Sequence, residues 1–150
     1  MKTIFYYNTI IGTLGIVGDD QYIYEITFNK RDIEIKENKL IRECYCQLEE
    51  YFDGKRKYFD IPLYIEGTDF QKKVWYALMD IPYGEVRSYK DIAIAINNEK
   101  AVRAVGNANN KNKIPIIIPC HRVIGINGKL VGYAGGLEIK EKLLELERNG

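Results

Sequence analysis

The hydrophobic pattern of this chain shifts from strand-type runs before residue 30 to helical spacing after residue 40, and this order constrains the fold most strongly. Segments 6–9, 12–17 and 22–28 are rich in Ile, Tyr and Thr and predict three strands. Apolar residues then recur at helical spacing from Leu40, and Gly54 is the expected end of that helix. A sheet followed by a helix therefore forms the first part of a predicted α+β fold.

A domain boundary is predicted near residues 58–67, where Pro62 and Gly67 bracket a short extended stretch. The sequence therefore predicts an N-terminal α/β domain at 1–64 and a second domain at 65–150.

Helix-capping patterns mark the second domain. Thr68 and Gln71 have the spacing of a capping box, and Ser88 and Asp91 repeat it. A further helix is predicted at 99–108, after a tight polar turn. Two short helices joined by such a turn fit a helix-turn-helix unit, so this domain is predicted to be mainly helical.

The helix at 99–108 has a surface of small side chains, with the long Arg103 as the exception. The small residues are Ala101, Ala104, Gly106 and Ala108. Such a surface allows the helix backbone to approach either a DNA groove or a neighbouring helix of the same domain, and the pattern leaves both interpretations open.

Positive charge is concentrated in one segment of a chain whose formal net charge is only +1. Residues 84–130 contain eight Lys/Arg and three Asp/Glu, a net of +5. A basic segment in a near-neutral protein predicts contact with a polyanion, nucleic acid first, although an ordinary solvated surface gives the same count.

The three cysteines, an odd number, argue against a disulfide framework and favour a reducing, cytoplasmic setting. No run approaches the ~18 consecutive apolar residues of a membrane span, and no signal peptide is expected. Cys44 lies on the apolar helix face and Cys46 roughly 200° around it, so the two cannot bind one metal ion together. Because the chain has a single histidine, we expect no metal site, and because the sequence contains no cofactor motif, we expect no cofactor.

The most informative stretch is 116–123, where an apolar β-type run leads to Cys120 and to His121, the single histidine. A thiol with its ordinary pKa of about 8.5 is only a few per cent ionised at neutral pH, and an adjacent imidazole could take its proton. Arg122 would add a nearby cation that favours the thiolate. The same residues also fit a structural cysteine, so the motif needs further support.

Glu147 offers such support because it shares the apolar helix face of Leu143 and Leu144. An acid on that face is either a frayed terminal charge or a buried partner for a base, and with His121 it would complete a Cys–His–Glu relay. The glycine-rich residues 132–136 could present backbone N–H groups to a ligand oxygen.

Taken together, these segments resemble the O6-alkylguanine-DNA alkyltransferases, also called methylated-DNA–protein-cysteine methyltransferases, over nearly the whole chain. The shared motifs, in chain order, are 47–54, GTDFQ at 67–71, IPYGEV at 81–86, Ser88-Tyr89, AVRAVG at 101–106, Pro115, IPCHRV at 118–123 and GYAGG at 132–136. The resemblance implies a mixed N-terminal sheet with a helix, and a helical C-terminal domain that binds DNA and accepts the alkyl group. It also implies direct-reversal DNA repair, in which an alkyl group passes irreversibly from O6-alkylguanine or O4-alkylthymine to the protein in a single turnover.

By the same resemblance, five residues are assigned to the chemistry. Cys120 is the nucleophile and alkyl acceptor, and His121 is its base, acting through a water and held by Glu147. Tyr89 is implied to help rotate the target nucleotide and to protonate the departing guanine, while Asn112 braces the active-site turn.

The resemblance also assigns the DNA contacts and the substrate pocket. Arg103 is implied to fill the space that the target base leaves in the duplex. The other expected DNA contacts are Ser88, Tyr89, Ala101, Ala104 and Gly106. The expected guanine pocket consists of Pro115, Val123, Tyr133, Ala134 and Gly135. Ala134 stands where some relatives have serine, but the backbone N–H is the group implied to read O6.

The expected partner is double-stranded DNA carrying O6-alkylguanine, bound by a monomer. Metal-binding members of the family place zinc in the N-terminal domain, where this chain has no histidine, so no zinc is expected. Three other functions stand as alternatives: a non-catalytic binder of alkylated DNA, a helix-turn-helix regulator with a structural cysteine, and a Cys–His hydrolase.

Overall fold

The structure is a computed structural model that describes residues 1–125, 128, 132–133 and 135–150. It divides into two compact units, Met1–Ile65 and Glu66–Gly150. The first unit contains a sheet and one helix, and the second contains mainly helices. The α+β fold expected from the sequence is therefore confirmed. Among the described residues, no helix is both long and apolar enough to cross a membrane.

The first unit is built on a three-stranded antiparallel sheet. Its strands are β1 Thr3–Thr9, β2 Gly12–Gly18 and β3 Ile23–Thr27, in that spatial order. Single parallel bridges, Ile4 to Ile35 and Ile23 to Leu63, extend the two edges, so the pairing is mixed.

One helix, α1 Lys39–Phe52, belongs to the sheet-bearing unit. Asn38 caps it, because its side chain accepts a hydrogen bond from the Ile41 amide at 2.7 Å. Cys44 on its apolar face is buried and Cys46 is exposed, as the helical spacing predicts.

The second unit holds four α-helices in its described part, together with a very short parallel strand pair. The helices are α2 Asp69–Met79, α3 Tyr89–Ala95, α4 Val102–Asn110 and α5 Leu137–Asn149. The strands are β4 Arg87–Ser88 and β5 Val123–Ile124.

Both predicted capping boxes are present. Thr68 Oγ1 accepts from the Gln71 amide at 3.1 Å, and the Gln71 side chain accepts from the Thr68 amide at 3.0 Å. Ser88 and Asp91 form the same reciprocal pair at 3.0 and 2.8 Å. Reciprocal bonds of this kind satisfy backbone donors that a helix start leaves open, so they fix where α2 and α3 begin.

The helix predicted at 99–108 begins later, at Val102, and ends at Asn110. The turn before it is longer than expected because Asn97 adopts a left-handed conformation (φ 59°) and the Ala101 amide bonds back to the Asn98 carbonyl. Residues 98–101 are therefore used in the turn.

A buried tryptophan joins α2 to α4. Trp75 is 3% exposed, and its Nε1 donates to the Ala108 carbonyl at 2.9 Å. Ala108 therefore packs inside the domain, whereas Arg103 and Ala104 on the same helix are exposed. The small-residue surface thus divides between internal packing and a solvent-facing part.

Candidate active site

Cys120 begins a single turn of 3₁₀ helix, Cys120–Arg122, that leads directly into β5. The cysteine is 4% exposed. The segment before it is held by Asn112, whose Nδ2 donates to the Ile118 carbonyl at 2.8 Å and whose Oδ1 accepts from the Ile114 amide at 3.0 Å. The Asn112 side chain therefore holds both ends of the segment from Ile114 to Ile118, which precedes the turn that carries Cys120.

The apolar run that leads to Cys120 is not a strand. Ile116 has φ 75°, an uncommon conformation for a β-branched residue, and the Ile118 amide bonds back to the Ile114 carbonyl at 2.9 Å. The β-type interpretation was wrong because the run is apolar through burial: Ile114, Ile116 and Ile118 are all 1–2% exposed. Local periodicity does not distinguish a buried turn from a buried strand.

His121 and Glu147 form a buried pair. Imidazole Nε2 lies 2.7 Å from Oε2 of Glu147, and the histidine has no exposed surface. An ionised carboxylate only accepts hydrogen bonds, so the neutral imidazole carries its proton on Nε2 and leaves a lone pair on Nδ1. Nδ1 has no hydrogen-bond partner within the described part of the chain. The unprotonated nitrogen is therefore available to accept a proton.

Arg122 does not serve the thiol as the sequence suggested. Its Nε and Nη2 donate to the two oxygens of Glu147 at 2.8 and 3.0 Å, and its Nη1 donates to the Ile81 carbonyl at 2.8 Å. Arg122 was expected to be a nearby cation that favours the Cys120 thiolate, but its hydrogen bonds go to Glu147 and Ile81, because a buried guanidinium pairs with a carboxylate. Arg122 is also buried, so the +5 segment includes a charge that DNA does not reach.

Lys140 is a site residue that the sequence analysis missed. It is 0% exposed, and its Nζ donates to the carbonyls of Val123 at 2.6 Å and Gly132 at 3.5 Å. A signal was present: Lys140 precedes Leu143, Leu144 and Glu147 by three, four and seven residues, which is one helix face. A lysine is usually solvated, and one that is fully buried on such a face needs buried hydrogen-bond partners.

Burial sets the resting protonation of the reactive pair. It raises the pKa of the Cys120 thiol to about 11, against the opposing effects of a hydrogen bond from Asn112 and the charge of Lys140. Burial is also the main cause that lowers the pKa of His121, and the Glu147 carboxylate opposes it. In the folded chain Cys120 is therefore a protonated thiol and His121 a neutral imidazole.

Tyr89 is the first residue of α3 and is half-buried. Burial raises the pKa of its phenol, as does the charge of Cys120, while a hydrogen bond with the Asn109 side chain lowers it. A negative charge on Cys120 would thus disfavour ionisation of this phenol at the start of α3. A phenol that stays protonated there can donate a proton to a bound base.

The remaining predicted residues lie at different depths. Arg103 and Ala104 are exposed in the first turn of α4, Ala101 is its N-cap, and the added Cβ of a side chain at Gly106 would lie 3.8 Å from the Tyr89 ring. Ser88 uses its hydroxyl to cap α3.

The predicted guanine pocket is described except at one residue. Pro115 and Val123 are buried, and Tyr133 and Gly135 are half-buried. Burial raises the pKa of Tyr133 well above its ordinary value, and the charges of Cys120 and Glu147 add to the effect. Ala134 lies outside the described residues.

Two family descriptions match this chain and together span most of it. Residues 69–149 match the 6-O-methylguanine DNA methyltransferase, DNA binding domain, and residues 4–65 match the ribonuclease-like domain of the same methyltransferase. A methylated-DNA–protein-cysteine methyltransferase from Methanosarcina barkeri is 53% identical, covering 96% of this chain and 98% of the relative. The constitutive protein of that name from Bacillus subtilis is 48% identical over 95% of each chain.

Solved structures give the same result. Mycobacterium tuberculosis OGT in complex with DNA superposes with a TM-score of 0.93 at 43% identity, over 98% of this chain and 93% of that one. The M. tuberculosis O6-methylguanine methyltransferase gives a TM-score of 0.92 at 41% identity, over 99% and 94% of the two chains.

Proposed function

Because the chain belongs to the 6-O-methylguanine DNA methyltransferase family, we propose that Cys120 is the residue that accepts the alkyl group from O6-alkylguanine in DNA. The protein binds DNA and repairs it by transferring an alkyl group from the DNA to one of its own cysteines. O4-alkylthymine is a second proposed substrate.

The observation that carries this assignment is the buried chain of groups behind the thiol. Cys120 is followed by His121, whose Nε2 is bonded to Glu147 at 2.7 Å and whose Nδ1 has no partner among the residues described. The other two thiols lack such a partner set: Cys44 is buried on α1, and burial raises the pKa of its thiol to about 12, while Cys46 is exposed on the same helix. These features support Cys120, with His121 next to it in sequence as the proposed base.

The proposed reaction requires the target base to leave the stack, since an atom inside a duplex is not open to attack. Extrusion costs a few kcal/mol, least for a mispaired lesion, and Arg103 entering the vacated space offsets part of that cost. Arg103 and Ala104 are exposed at the start of α4, where small neighbours allow close approach to a groove.

The chemical step exchanges one bond for another. The thiol proton passes through a bridging water to Nδ1 of His121, and the sulfur attacks the alkyl carbon opposite its bond to O6. That C–O bond breaks as the S–C bond forms, and the leaving guanine takes a proton from Tyr89. The proton held by His121 then replaces the one that Tyr89 gave up. The thioether product has no hydrolysable bond, so each molecule acts once.

Lesion specificity, a monomeric state and a cytoplasmic location are parts of the same proposal. Pro115, Val123 and Tyr133 are the residues proposed to line the guanine pocket, where a flipped base would be read by backbone groups. The free state of Cys44, Cys46 and Cys120 suits a reducing compartment.

Labelling with a benzylated free guanine tests the assignment. Intact-mass measurement should show one benzyl group per protein, and peptide mapping should place it on Cys120. A Cys120→Ser variant should gain no mass, and Cys46→Ser, at the exposed thiol, is the matched control that should label fully.

The same experiment separates the alternatives. A lesion binder or a helix-turn-helix regulator gains no mass, and a Cys–His hydrolase turns over without retaining the group. With excess methylated duplex, repair should stop at one guanine per protein. Continued repair beyond that number would contradict the single-turnover mechanism.

A further inference from the structure

Glu147 accepts more hydrogen bonds than a simple relay with His121 requires. His121 Nε2 lies 2.7 Å from Oε2, Arg122 donates through Nε and Nη2 at 2.8 and 3.0 Å, and the Gly84 amide donates to Oε1 at 3.2 Å. The two side chains that share the carboxylate are both buried. The Glu147 carboxylate is thus shared between the imidazole of His121, which titrates, and the guanidinium of Arg122, whose positive charge is permanent.

The permanent charge decides what the carboxylate does to the imidazole. A buried carboxylate beside a histidine favours the imidazolium, which cannot accept a proton from a thiol. A guanidinium on the same two oxygens compensates the carboxylate charge and repels a second positive charge beside it. His121 therefore keeps the orientation that Glu147 gives it without being held in the protonated form.

Arg122 is fixed in this position from a third side. Its Nη1 donates to the Ile81 carbonyl at 2.8 Å, and its guanidinium carbon lies 5.7 Å from the centre of the Tyr83 ring. These contacts come from the loop after α2, so the geometry of the guanidinium does not depend on Glu147 alone. The positive charge of Arg122 is therefore held in a fixed position beside Glu147 and His121.

We propose that Arg122 is a positioning residue that keeps His121 neutral and ready to accept the thiol proton, by taking up the charge of Glu147. The proposal rests on the function proposed above, in which His121 is the base for Cys120. In this role Arg122 contacts neither DNA nor the Cys120 sulfur, and it acts on His121 through Glu147.

The groups around His121 support this assignment. Glu147 and Lys140 face it from α5, Arg122 and Cys120 from the reactive turn, and Tyr83 borders the Arg122–Glu147 pair from the loop after α2. Burial is the largest cause that lowers the pKa of His121, Glu147 raises it, and Arg122 and Lys140 lower it. Arg122 is hydrogen-bonded to the carboxylate, and Nζ of Lys140 donates to the Val123 and Gly132 carbonyls.

The single histidine makes the test direct, since every imidazole signal in a proton NMR spectrum of this chain belongs to His121. Its ring signal should titrate below the ordinary value in the wild-type protein. In Arg122→Met, which keeps the chain length without the charge, the midpoint should rise by about one pH unit or more, a tenfold gain in imidazolium. Arg122→Lys, which keeps the charge but not the paired geometry, should lie between the two.

A double variant separates charge from scaffolding. Arg122→Met combined with Glu147→Gln removes both charges, so the midpoint should return toward that of the wild type. Failure to return would show that Arg122 acts only through packing and would overturn the proposal. An unchanged midpoint in folded Arg122→Met would overturn it as well. If that variant does not fold, an unchanged midpoint in Arg122→Lys would overturn it instead.

Activity provides a second readout. The acid limb of the single-turnover alkyl-transfer rate should move upward in pH with the NMR midpoint, by the same amount. The titration needs no alkylated substrate, so a shifted midpoint with no labelling of Cys120 would count against the proposed function and leave the electrostatic role of Arg122 standing.

Discussion

At the scale of single residues, the Glu147 carboxylate contacts Nε2 of His121, the proposed base, and leaves Nδ1 without a partner among the described residues. Glu147 is 3% exposed and seven residues along α5 from Lys140, the other buried charged residue of that helix. Because His121 adjoins Cys120 in sequence, whatever holds the imidazole also positions the turn that carries the sulfur.

Glu147→Gln should slow alkyl transfer by roughly 10²-fold with near-normal duplex affinity. The amide keeps the size and one acceptor but loses the charge that stabilises the imidazolium formed when the thiol is deprotonated. Single-turnover rates and thiol titration measure the effect. Glu145→Gln, an exposed change on the same helix, is the control. A full rate in the buried variant would reduce Glu147 to a terminal helix charge.

Lys140→Met should raise the pKa of the Cys120 thiol further and slow transfer about tenfold for each unit of that shift. The ammonium opposes the effect of burial on the thiol, and burial in turn lowers the pKa of Lys140 itself to about 8. Ultraviolet titration of the thiolate measures the shift, with exposed Lys142→Met as the matched change. If both variants titrate alike, Lys140 serves only to bond the Val123 and Gly132 carbonyls.

Local sequence patterns predicted some of these buried site residues and missed others. The motif at 118–123 and the face shared by Leu143, Leu144 and Glu147 led to Cys120, His121 and Glu147 as a candidate set. Lys140 lies on the same face but was missed, because a lysine is expected to be solvated. The direction of Arg122 depends on contacts from Ile81 and Glu147, both distant in sequence, and no local pattern encodes it.

At the scale of elements, the helices that begin with capping boxes were predicted with their starting residues, since the signal is a local pair of side chains. α4 lacks a side-chain cap, and the preceding turn extends to Ala101, so its start was placed three residues early. The segment before Cys120 was mistaken for a strand because buried turns and buried strands share an apolar composition. The mispredicted features were therefore those that no local side-chain pattern marks.

Arg103→Ala should reduce repair of alkylated duplex far more than reaction with a free alkylated base. Arg103 is exposed at the start of α4, and the extruded state that it is proposed to stabilise does not exist for a free base. Rates on both substrates, measured at two salt concentrations, decide the question, and Arg103→Lys keeps the charge as a comparison. Equal losses on the two substrates would place Arg103 in the transfer step instead.

At the scale of the whole molecule, the buried imidazole links stability to pH. Folding lowers the pKa of His121. As the pH falls through about 6.5, the imidazole is therefore protonated in the unfolded chain while it is still neutral in the folded chain. The free energy of unfolding should therefore fall on acidification, by up to ~1.4 kcal/mol per pH unit. Above about pH 6.5, where His121 is neutral in both states, none of this stability is lost.

His121→Gln isolates this contribution, because the amide can still donate to Glu147 but does not titrate. Urea unfolding of both proteins between about pH 5 and 8 should show the wild type losing stability relative to the variant as the pH falls. Parallel curves would mean that folding leaves the proton affinity of the imidazole unchanged.

Trp75, which donates to the Ala108 carbonyl at 2.9 Å, is the only tryptophan in the chain. Indole fluorescence therefore originates entirely from the unit that contains Cys120, whereas eight of the twelve tyrosines belong to the first unit. Selective excitation of the indole should report unfolding of the second unit alone, with a red shift as the bond to α4 breaks and water reaches the ring. The native chain thus carries its own optical probe, at the junction of α2 with the helix that carries Arg103.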